Sequence, residues 1–360
     1  MKINGSSLNE YDLHCLSDVA AQNIPKTRHC GKLRHSDSVK GRSFPPPSAQ
    51  MPIVELQNIR KVYDTKVAVE GLTLAIEPGT MFGLLGPNGS GKTSSIRMMI
   101  GMTVPDSGTV RLFDKPFDRT SLHKVGYLPE ERGLYKKMKV LDQLIFLGQL
   151  HGLDEATARK RSLAWCERME ISEAIAKKTE ELSKGMQQKI QFIAALLHEP
   201  DLIIMDEPFS GLDPVNATLL MDTLVSLRTE GKAILFSTHR MDQVEKLCDE
   251  IALISRGKLL LSGSMRAIKS EYPRNRLQVS FTGDDTFLRH GGIAEFKNYS
   301  GIAEIKLHSE AEAQQILAEA IANGTHINRF EVMEPTLEEI FIENVRASFG
   351  DEEAGGRVDA

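Results

Sequence analysis

The chain has 360 residues, and its 44 Lys and Arg against 49 Asp and Glu give a net charge of −5. This length allows two domains or slightly more, and the acidic balance argues against a protein whose main task is to grip nucleic acid. Four cysteines form no Cys-x-x-Cys pair, which favours a reducing compartment. No apolar run reaches the roughly 18–20 residues of a membrane span, and we see no signal-peptide core.

The first fifty residues differ in composition from the rest of the chain. They are polar and rich in serine, and they end in Pro45-Pro46-Pro47, so we predict a disordered tail over residues 1–50. The pairs His14-Cys15 and His29-Cys30 suggest a metal, but their spacing matches no common zinc pattern. Met51 opens the first segment that is patterned like a folded domain.

Strand-like and helix-like segments then follow one another along the chain. The alternation of apolar and polar residues at 53–63 and 72–76 predicts strands, and the apolar runs at 81–85, 202–205, 233–237 and 251–254 predict buried strands. The region from 136 to about 198 has helical periodicity and contains the single tryptophan, Trp165. Strands that alternate with helices favour a parallel sheet covered on both faces, here with a helical insertion.

The pattern of predicted secondary structure changes again after about residue 271. Segments 277–281 and 303–307 read as strands, 310–322 as an amphipathic helix, and 335–345 as a second helix with one apolar face. We predict a small α+β appendage over 271–346 and a disordered tail over 347–360. The appendage carries no recognisable catalytic constellation.

The segment GPNGSGKT fits the phosphate-loop pattern G-x-x-x-x-G-K-[ST] completely, between a predicted strand and a predicted helix. Its glycines allow the backbone N–H groups to surround phosphates, Lys92 supplies a cation, and the Thr93 hydroxyl can bind Mg²⁺. The predicted nucleotide-binding residues of this segment are Gly86, Pro87, Asn88, Gly89, Ser90, Gly91, Lys92, Thr93 and Ser94.

Two further strand ends carry side chains suited to phosphate chemistry. The segment LIIMDEP ends a buried strand with two carboxylates, and in a phosphate-loop protein Asp206 is expected near Mg²⁺ while Glu207 is placed to polarise a water. The segment STH ends another buried strand, and parallel strands present ligands at their carboxyl ends, so His239 is expected to reach the same phosphate.

The segment LSKGMQQK lies where an amphipathic helix begins. Ser183 is expected to cap it, and Ile190, Ile193, Ala194 and Leu197 form its apolar stripe. A helix start with free N–H groups is an anion site, yet the phosphate loop lies about ninety residues upstream.

Together these motifs resemble the nucleotide-binding subunit of an ABC transporter over roughly residues 53–265. Six motifs occur in that family's order: an aromatic residue, the phosphate loop, LPEE, LSKGMQQK, LIIMDEP with SGLD, and STH. The resemblance implies an α/β fold with a P-loop (RecA-like) parallel sheet core, a β-rich N-terminal subdomain, an inserted helical subdomain and the α+β appendage. It assigns 51–270 to the nucleotide-binding domain. The C-terminal segment is similar to that of an exporter-type branch that includes sodium- and drug-efflux ATPases.

The resemblance also implies roles for individual residues. Tyr63 corresponds to the position that stacks on adenine, Glu207 and His239 to the catalytic pair, and Asp206 and Thr93 to Mg²⁺ ligands. Two such domains stack head to tail in this family, so the helix start at LSKGMQQK faces an ATP held by the other subunit. The residues implied to touch that ATP are Ser183, Lys184, Gly185, Met186 and Asp213.

Three positions depart from the family pattern. Lys184 and Met186 stand where glycine and glutamine are usual, and Lys184 either adds charge toward the phosphate or faces solvent. Glu130 stands where the loop that joins ATP to the membrane partner usually offers glutamine. We expect Glu130 either to bind Mg²⁺ as a charged ligand or to point into solvent.

The function implied is an ATPase subunit, with ATP and Mg²⁺ as cofactors, that acts at the cytoplasmic face of the membrane. Its expected partners are a second copy of itself or a related subunit and a separate permease, with export as the direction and no nucleic acid as a ligand. The alternatives are a non-transport ABC protein of the translation or DNA-repair type and an unrelated P-loop kinase. The former usually carries two cassettes or long coiled coils, and the latter does not need LSKGM or SGLD.

Overall fold

The structure is a computed structural model that describes residues 51–131 and 133–349. The predicted tail over 1–50 lies outside this range, as does most of the tail predicted over 347–360. The described strands are β1 (Val54–Tyr63), β2 (Lys66–Ile76), β3 (Met81–Leu85), β4 (Ser107–Leu112), β5 (Lys115–Pro116), β6 (Val125–Leu128), β7 (Leu202–Asp206), β8 (Ala233–Thr238), β9 (Glu250–Ser255), β10 (Lys258–Ser264), β11 (Arg276–Thr282), β12 (Ile293–Tyr299), β13 (Ile302–Leu307) and β14 (His326–Met333).

The described α-helices are α1 (Lys92–Met99), α2 (Val140–Leu150), α3 (Glu155–Arg168), α4 (Lys184–Leu196), α5 (Pro214–Thr229), α6 (Met241–Leu247), α7 (Met265–Ser270), α8 (Glu312–Ala322) and α9 (Leu337–Phe349). Short 3-10 turns lie at Arg119–Lys124, Ser172–Ala174, Thr179–Glu181 and Thr286–Arg289. Within the described ranges, every helix is too short or too polar to cross a bilayer.

The central sheet has six strands in the order β10-β9-β3-β8-β7-β6. Its strands from β9 to β6 pair in parallel, and β10 adds an antiparallel edge. Residues of β3, β7 and β8 are buried along their whole length, as expected of strands covered on both faces. The carboxyl ends of β3, β7 and β8 therefore meet at one edge, where the predicted site residues follow them.

Two smaller units flank this sheet. The sheet β2-β1-β4-β5 is antiparallel and packs on the central sheet through a shared apolar cluster that includes Leu56, Ile76 and Phe82. Between β6 and β7, helices α2, α3 and α4 form the helical insertion, and Asp154 caps α3 through a hydrogen bond from the Thr157 backbone N–H. The predicted fold class is confirmed.

The C-terminal segment forms an antiparallel sheet in the order β12-β13-β11-β14, with α8 on one face. The last helix, α9, behaves differently from the rest of the predicted appendage. Its Leu337 and Ile340 join the apolar cluster of the central sheet, and the Leu337 backbone N–H donates to Glu245 at 2.6 Å. This helix runs to Phe349, three residues past the predicted boundary at 346, and the Arg256 guanidinium lies 4.8 Å from the centre of the Phe349 ring.

Candidate functional site

The phosphate loop joins β3 to α1 in a conformation that depends on glycine. Gly86 and Gly91 have φ of 154° and 110°. A Cβ at Gly86 would lie 2.1 Å from the Ile254 carbonyl oxygen, and one at Gly91 would lie 2.4 Å from that of Ala68. These contacts are far inside van der Waals distance, so neither position accepts a side chain. The loop is thus held against β9 and β2 while its backbone remains open.

The first turn of α1 has free N–H groups. Gly91 is its N-cap and provides no side-chain hydrogen bond to the turn, and no acidic residue follows in that turn. Thr93 and Ser94 lie there, both partly buried. Uncapped N–H groups at the positive end of a helix favour an anion, and a phosphate fits both the charge and the hydrogen-bonding need.

Lys92 is folded back on its own loop. The side chain is only 6% exposed, and Nζ donates to the carbonyl oxygens of Gly86 at 2.7 Å and Pro87 at 3.2 Å. Nζ also lies 3.9 Å from Oε1 of Glu207. Burial lowers the pKa of Lys92, while the charges of Glu207, Asp206 and Glu130 oppose that shift. The ammonium group is therefore pre-placed among carboxylates, where a phosphate can replace the loop carbonyls as its acceptor.

Asp206 ends β7 as a buried carboxylate, 1% exposed. Ser237, its register partner on β8, donates a hydrogen bond from Oγ to Oδ1. The other oxygen, Oδ2, is buried and has no partner among the described residues. A buried charge without a partner is costly, so this oxygen is suited to a cation or to a water held by one.

Glu207 follows Asp206 in a left-handed conformation with φ of 49°, and its backbone N–H donates to the Ser237 carbonyl at 3.0 Å. Its Oε1 accepts from the His239 backbone N–H at 3.1 Å and lies 2.8 Å from Nδ1 of the His239 ring. Its Oε2 accepts from the Thr238 hydroxyl at 3.1 Å. A positive φ is uncommon for a residue with a side chain, and these contacts hold Glu207 in it.

Glu130 approaches this group of charges from the loop after β6. The residue is exposed, yet partial burial and the negative charges of Asp206 and Glu207 raise the pKa of its carboxyl group, with Lys92 acting in the opposite direction. The interaction with three charged residues of the site shows that Glu130 lies within their electrostatic reach. A cation in their midst would relieve the repulsion among these carboxylates.

The predicted site residues of LSKGMQQK are not connected to the phosphate loop of the same chain by any hydrogen bond or ion pair of the described residues. Ser183 caps α4, as predicted, with Oγ accepting from the Met186 backbone N–H at 3.3 Å, and both Ser183 and Lys184 are exposed. A Cβ at Gly185 would meet only ordinary contacts, the nearest to Leu212 at 3.7 Å, so nothing within the described chain requires glycine there.

Asp213 lies beside that helix start and caps α5. Its carboxylate accepts from the backbone N–H of Asn216 at 3.0 Å and from its side-chain amide at 2.5 Å, and these hydrogen bonds lower the pKa of Asp213. A Cβ at Gly185 would lie 3.8 Å from that amide nitrogen. Tyr63 ends β1 with its ring 41% exposed and with the Lys61 ammonium 5.6 Å from the ring centre. Among the described residues, no hydrogen bond or ring contact joins Tyr63 to the phosphate loop.

Sequence reasoning assigned no role to several polar residues that hold the site. Ser237 and Thr238 contact the two carboxylates, and Gln188 donates to the Pro208 carbonyl at 3.2 Å while Gln191 donates to that of Glu131 at 3.2 Å. The two glutamines tie α4 to the loops after Glu207 and Glu130. The sequence offered a signal for Ser237, because it lies near the end of a buried strand, as Asp206 does. The two glutamines look like ordinary polar positions of an amphipathic helix.

Comparison with known proteins supports the resemblance to ABC transporter ATPases that the sequence motifs indicate. The family model "ABC transporter" matches residues 69–210, and the model "ATP-binding protein DrrA1-3-like, C-terminal domain" matches residues 263–345. The uncharacterized ABC transporter ATP-binding protein YhaQ of Bacillus subtilis strain 168 is 43% identical over 298 residues, which are 82% of this chain and 100% of that protein. The linearmycin resistance ATP-binding protein LnrL of the same organism is 32% identical over 81% of this chain and 97% of its own length.

Two further comparisons extend this result. The Nod factor export ATP-binding protein I of Cupriavidus metallidurans is 37% identical over 59% of this chain and 71% of that protein. A solved ATP-binding subunit of an ABC transporter superimposes with a TM-score of 0.57 and 28% identity, covering 61% of this chain and 92% of that one. The resemblance inferred from the motifs is thus confirmed. This chain belongs to the family of ABC transporter ATP-binding proteins, and it is an ABC transporter ATPase.

Proposed function

We propose that this chain binds ATP with Mg²⁺, dimerises around it, and uses its hydrolysis to drive export through a separate membrane permease. The observation that carries the proposal is the arrangement at the ends of β7 and β8. Glu207 is fixed by His239 and Thr238 beside Lys92 of the phosphate loop. A carboxylate held next to a phosphate-binding cation is suited to accept a proton from an attacking water.

The residues present fit a Mg²⁺ ion bound together with nucleotide. Thr93 and Asp206 would hold it, and Glu130 would add a charged ligand from its loop. No group of three His, Cys, Asp or Glu side chains in the described part of the chain could hold a metal by itself. Mg²⁺ usually takes only one or two carboxylates and completes its shell with phosphates and water, which agrees with this sparse donor set. When bound, Mg²⁺ supplies charge neutralisation at the phosphates.

Dimerisation is supported by the position of the α4 start. Ser183 and Lys184 are exposed, Gly185 has no steric requirement within its own subunit, and this helix end is separate from the phosphate loop of the same chain. A phosphate of a second subunit's nucleotide would satisfy the exposed helix start. Ser183, Lys184, Gly185, Met186 and Asp213 are the proposed contacts, and Tyr63 is the proposed adenine-stacking residue on the other side of the nucleotide.

Coupling to a permease and the export direction are supported by the relatives. One of them is named for resistance to linearmycin and another for Nod factor export, and they match 81% and 59% of this chain, respectively. By itself ATP hydrolysis moves no solute, so the proposal assigns the path for the exported compound to a separate permease. We place the ATPase at the cytoplasmic face of the membrane in that complex.

The test is co-purification followed by reconstitution. Tagged protein is recovered from detergent-solubilised membranes, and the bound chain is identified. We expect a multi-span membrane protein whose presence in liposomes stimulates ATP hydrolysis by this subunit. Recovery of ribosomes or DNA-repair factors in place of a membrane protein would favour a non-transport ABC ATPase and overturn the proposal.

A further inference from the structure

The side chains of Asp206 and Ser237 meet across two neighbouring parallel strands. The register of β7 and β8 pairs these two residues directly. Asp206 is the last residue of β7 and Ser237 the second-last of β8, so both lie at the edge of the sheet where the phosphate loop follows β3. Ser237 is 0% exposed and donates its hydroxyl hydrogen to Oδ1 of Asp206. Among the described residues, no other side chain donates a hydrogen bond to the Asp206 carboxylate.

The two oxygens of this carboxylate are therefore not equivalent. Oδ1 is held by Ser237, whereas Oδ2 is buried without a partner. A terminal carboxylate torsion is broad and two-fold, so an Asp side chain without a fixed partner rotates easily. A hydrogen bond to one oxygen fixes the plane of the carboxylate and leaves the other oxygen in a constant direction. Asp206 is the last residue of β7, at the edge of the sheet where the phosphate loop follows β3, and its charge acts on both Lys92 and Glu130.

We propose that Ser237 is a positioning residue for the metal site: its hydroxyl orients Asp206 so that the free carboxylate oxygen is presented to Mg²⁺ bound with nucleotide. This inference rests on the proposed role of Asp206 in holding Mg²⁺. Side chains that hydrogen-bond to a metal ligand orient it and typically change metal affinity by about 10- to 100-fold when they are removed. In this role the Ser237 hydroxyl acts on the metal through Asp206, to which it donates its hydrogen bond.

A purely structural role for Ser237 makes a different prediction. A buried hydroxyl that only satisfies a buried carboxylate would, when removed, lower the melting temperature and weaken nucleotide binding with and without metal to the same degree. A positioning role predicts a loss that is confined to the metal-dependent part of binding. The two roles are therefore separated by the ratio of ADP affinities in Mg²⁺ and in EDTA.

The experiment measures equilibrium binding of fluorescently labelled ADP to the full chain, with Mg²⁺ and with EDTA, for wild type and Ser237→Ala. ADP avoids hydrolysis. We expect Ser237→Ala to reduce the Mg²⁺-dependent gain in ADP affinity by about tenfold and to leave the affinity in EDTA unchanged. Ser162→Ala is the matched control, because Ser162 is equally buried but donates to the Ala158 carbonyl within α3, far along the chain from the site.

Each further outcome is decisive. An unchanged Mg²⁺-dependent gain in Ser237→Ala, or an equal loss with Mg²⁺ and with EDTA, would overturn the positioning role while leaving the Mg²⁺ site intact. A wild type without any Mg²⁺-dependent gain would overturn the proposed metal site itself and this inference with it. If Ser237→Ala does not fold, Ser237→Cys replaces it; its thiol is a weaker donor of similar size, and a gain equal to that of wild type would again overturn the role.

Discussion

Glu207 and His239 are joined at a single oxygen atom: Oε1 of Glu207 accepts from the His239 backbone N–H at 3.1 Å and lies 2.8 Å from Nδ1 of the same residue's ring. The carboxylate is thereby held on the side of the sheet where the phosphate loop lies. His239 remains half exposed, so its ring can still reach a nucleotide while its backbone fixes Glu207. Glu207 and His239 therefore form one connected unit in the proposed site.

Replacing Glu207 with Gln should stop hydrolysis without preventing nucleotide binding. The amide keeps the size of the side chain but cannot accept a proton from water, so we expect the rate of phosphate release to fall at least about 100-fold. The affinity for ATP should change little, and an ATP-bound dimer should accumulate in size-exclusion chromatography. A variant that hydrolyses ATP at nearly the wild-type rate would show that another group is the base.

Replacing Lys92 with Ala should weaken nucleotide binding itself. In the proposed site the ammonium group binds phosphate, and a charge-assisted hydrogen bond contributes about 1.5–3 kcal/mol, so we expect ATP affinity to fall by about 10- to 100-fold. Equilibrium binding of labelled ATP measures this. Lys160→Ala, on the exposed surface of α3, is the control for a lost lysine and should bind ATP like wild type. Equal affinities in the two variants would contradict the assignment of Lys92.

Replacing Glu130 with Gln should change the Mg²⁺ requirement. The carboxylate offers a hard cation a full charge, whereas the amide offers only a neutral oxygen. Without metal the same carboxylate repels Asp206, Glu207 and the phosphates. We expect Glu130→Gln to raise the Mg²⁺ concentration for half-maximal ATPase activity and to strengthen metal-free ATP binding. Superimposable Mg²⁺ titrations of the two proteins would place Glu130 outside the coordination shell.

Acidification should destabilise the protein through His198. Burial, together with the stacked ring of His151 at 3.9 Å, lowers the pKa of His198 to about 4, below the 6.5 of an unperturbed histidine. The unfolded chain therefore binds more protons between pH 6.5 and 4, so the stabilising contribution is complete above pH 6.5 and is lost as the pH falls toward 4. The melting temperature of wild type should fall from pH 7 to pH 5.

The matched variants for this effect are His198→Gln and His308→Gln. An amide at position 198 can still donate to the Val125 carbonyl, which accepts from the His198 ring at 3.0 Å, but it does not take up a proton. We expect the drop in melting temperature between pH 7 and pH 5 to be smaller in His198→Gln than in wild type. His308, exposed in the C-terminal domain, should give a variant with the wild-type drop. Identical drops in all three proteins would assign the acid sensitivity to other groups.

The sequence alone determined the fold class and the chemistry of the phosphate loop. Both follow from patterns of residues close together in the sequence: apolar runs that form buried strands, a helix cap at Ser183, and the glycines of the phosphate loop. At Gly86 and Gly91 the loop has no room for a side chain. The order of the motifs along the chain identified the protein family. The same local patterns could not show which domain the last helix packs on, because Leu337 and Ile340 of α9 are buried against the nucleotide-binding domain and not within the appendage.

The tertiary structure alone decided which side chains act on each other. Asp206 and Ser237 are 31 positions apart, and only the parallel register of β7 and β8 brings hydroxyl and carboxylate together. The left-handed conformation of Glu207 and the burial of Lys92 likewise depend on neighbouring strands and loops. The burial of a side chain and the electrostatic field around it are set by residues that are far apart in the chain. The residue types were thus readable from the sequence, whereas their pairing required the packed sheet.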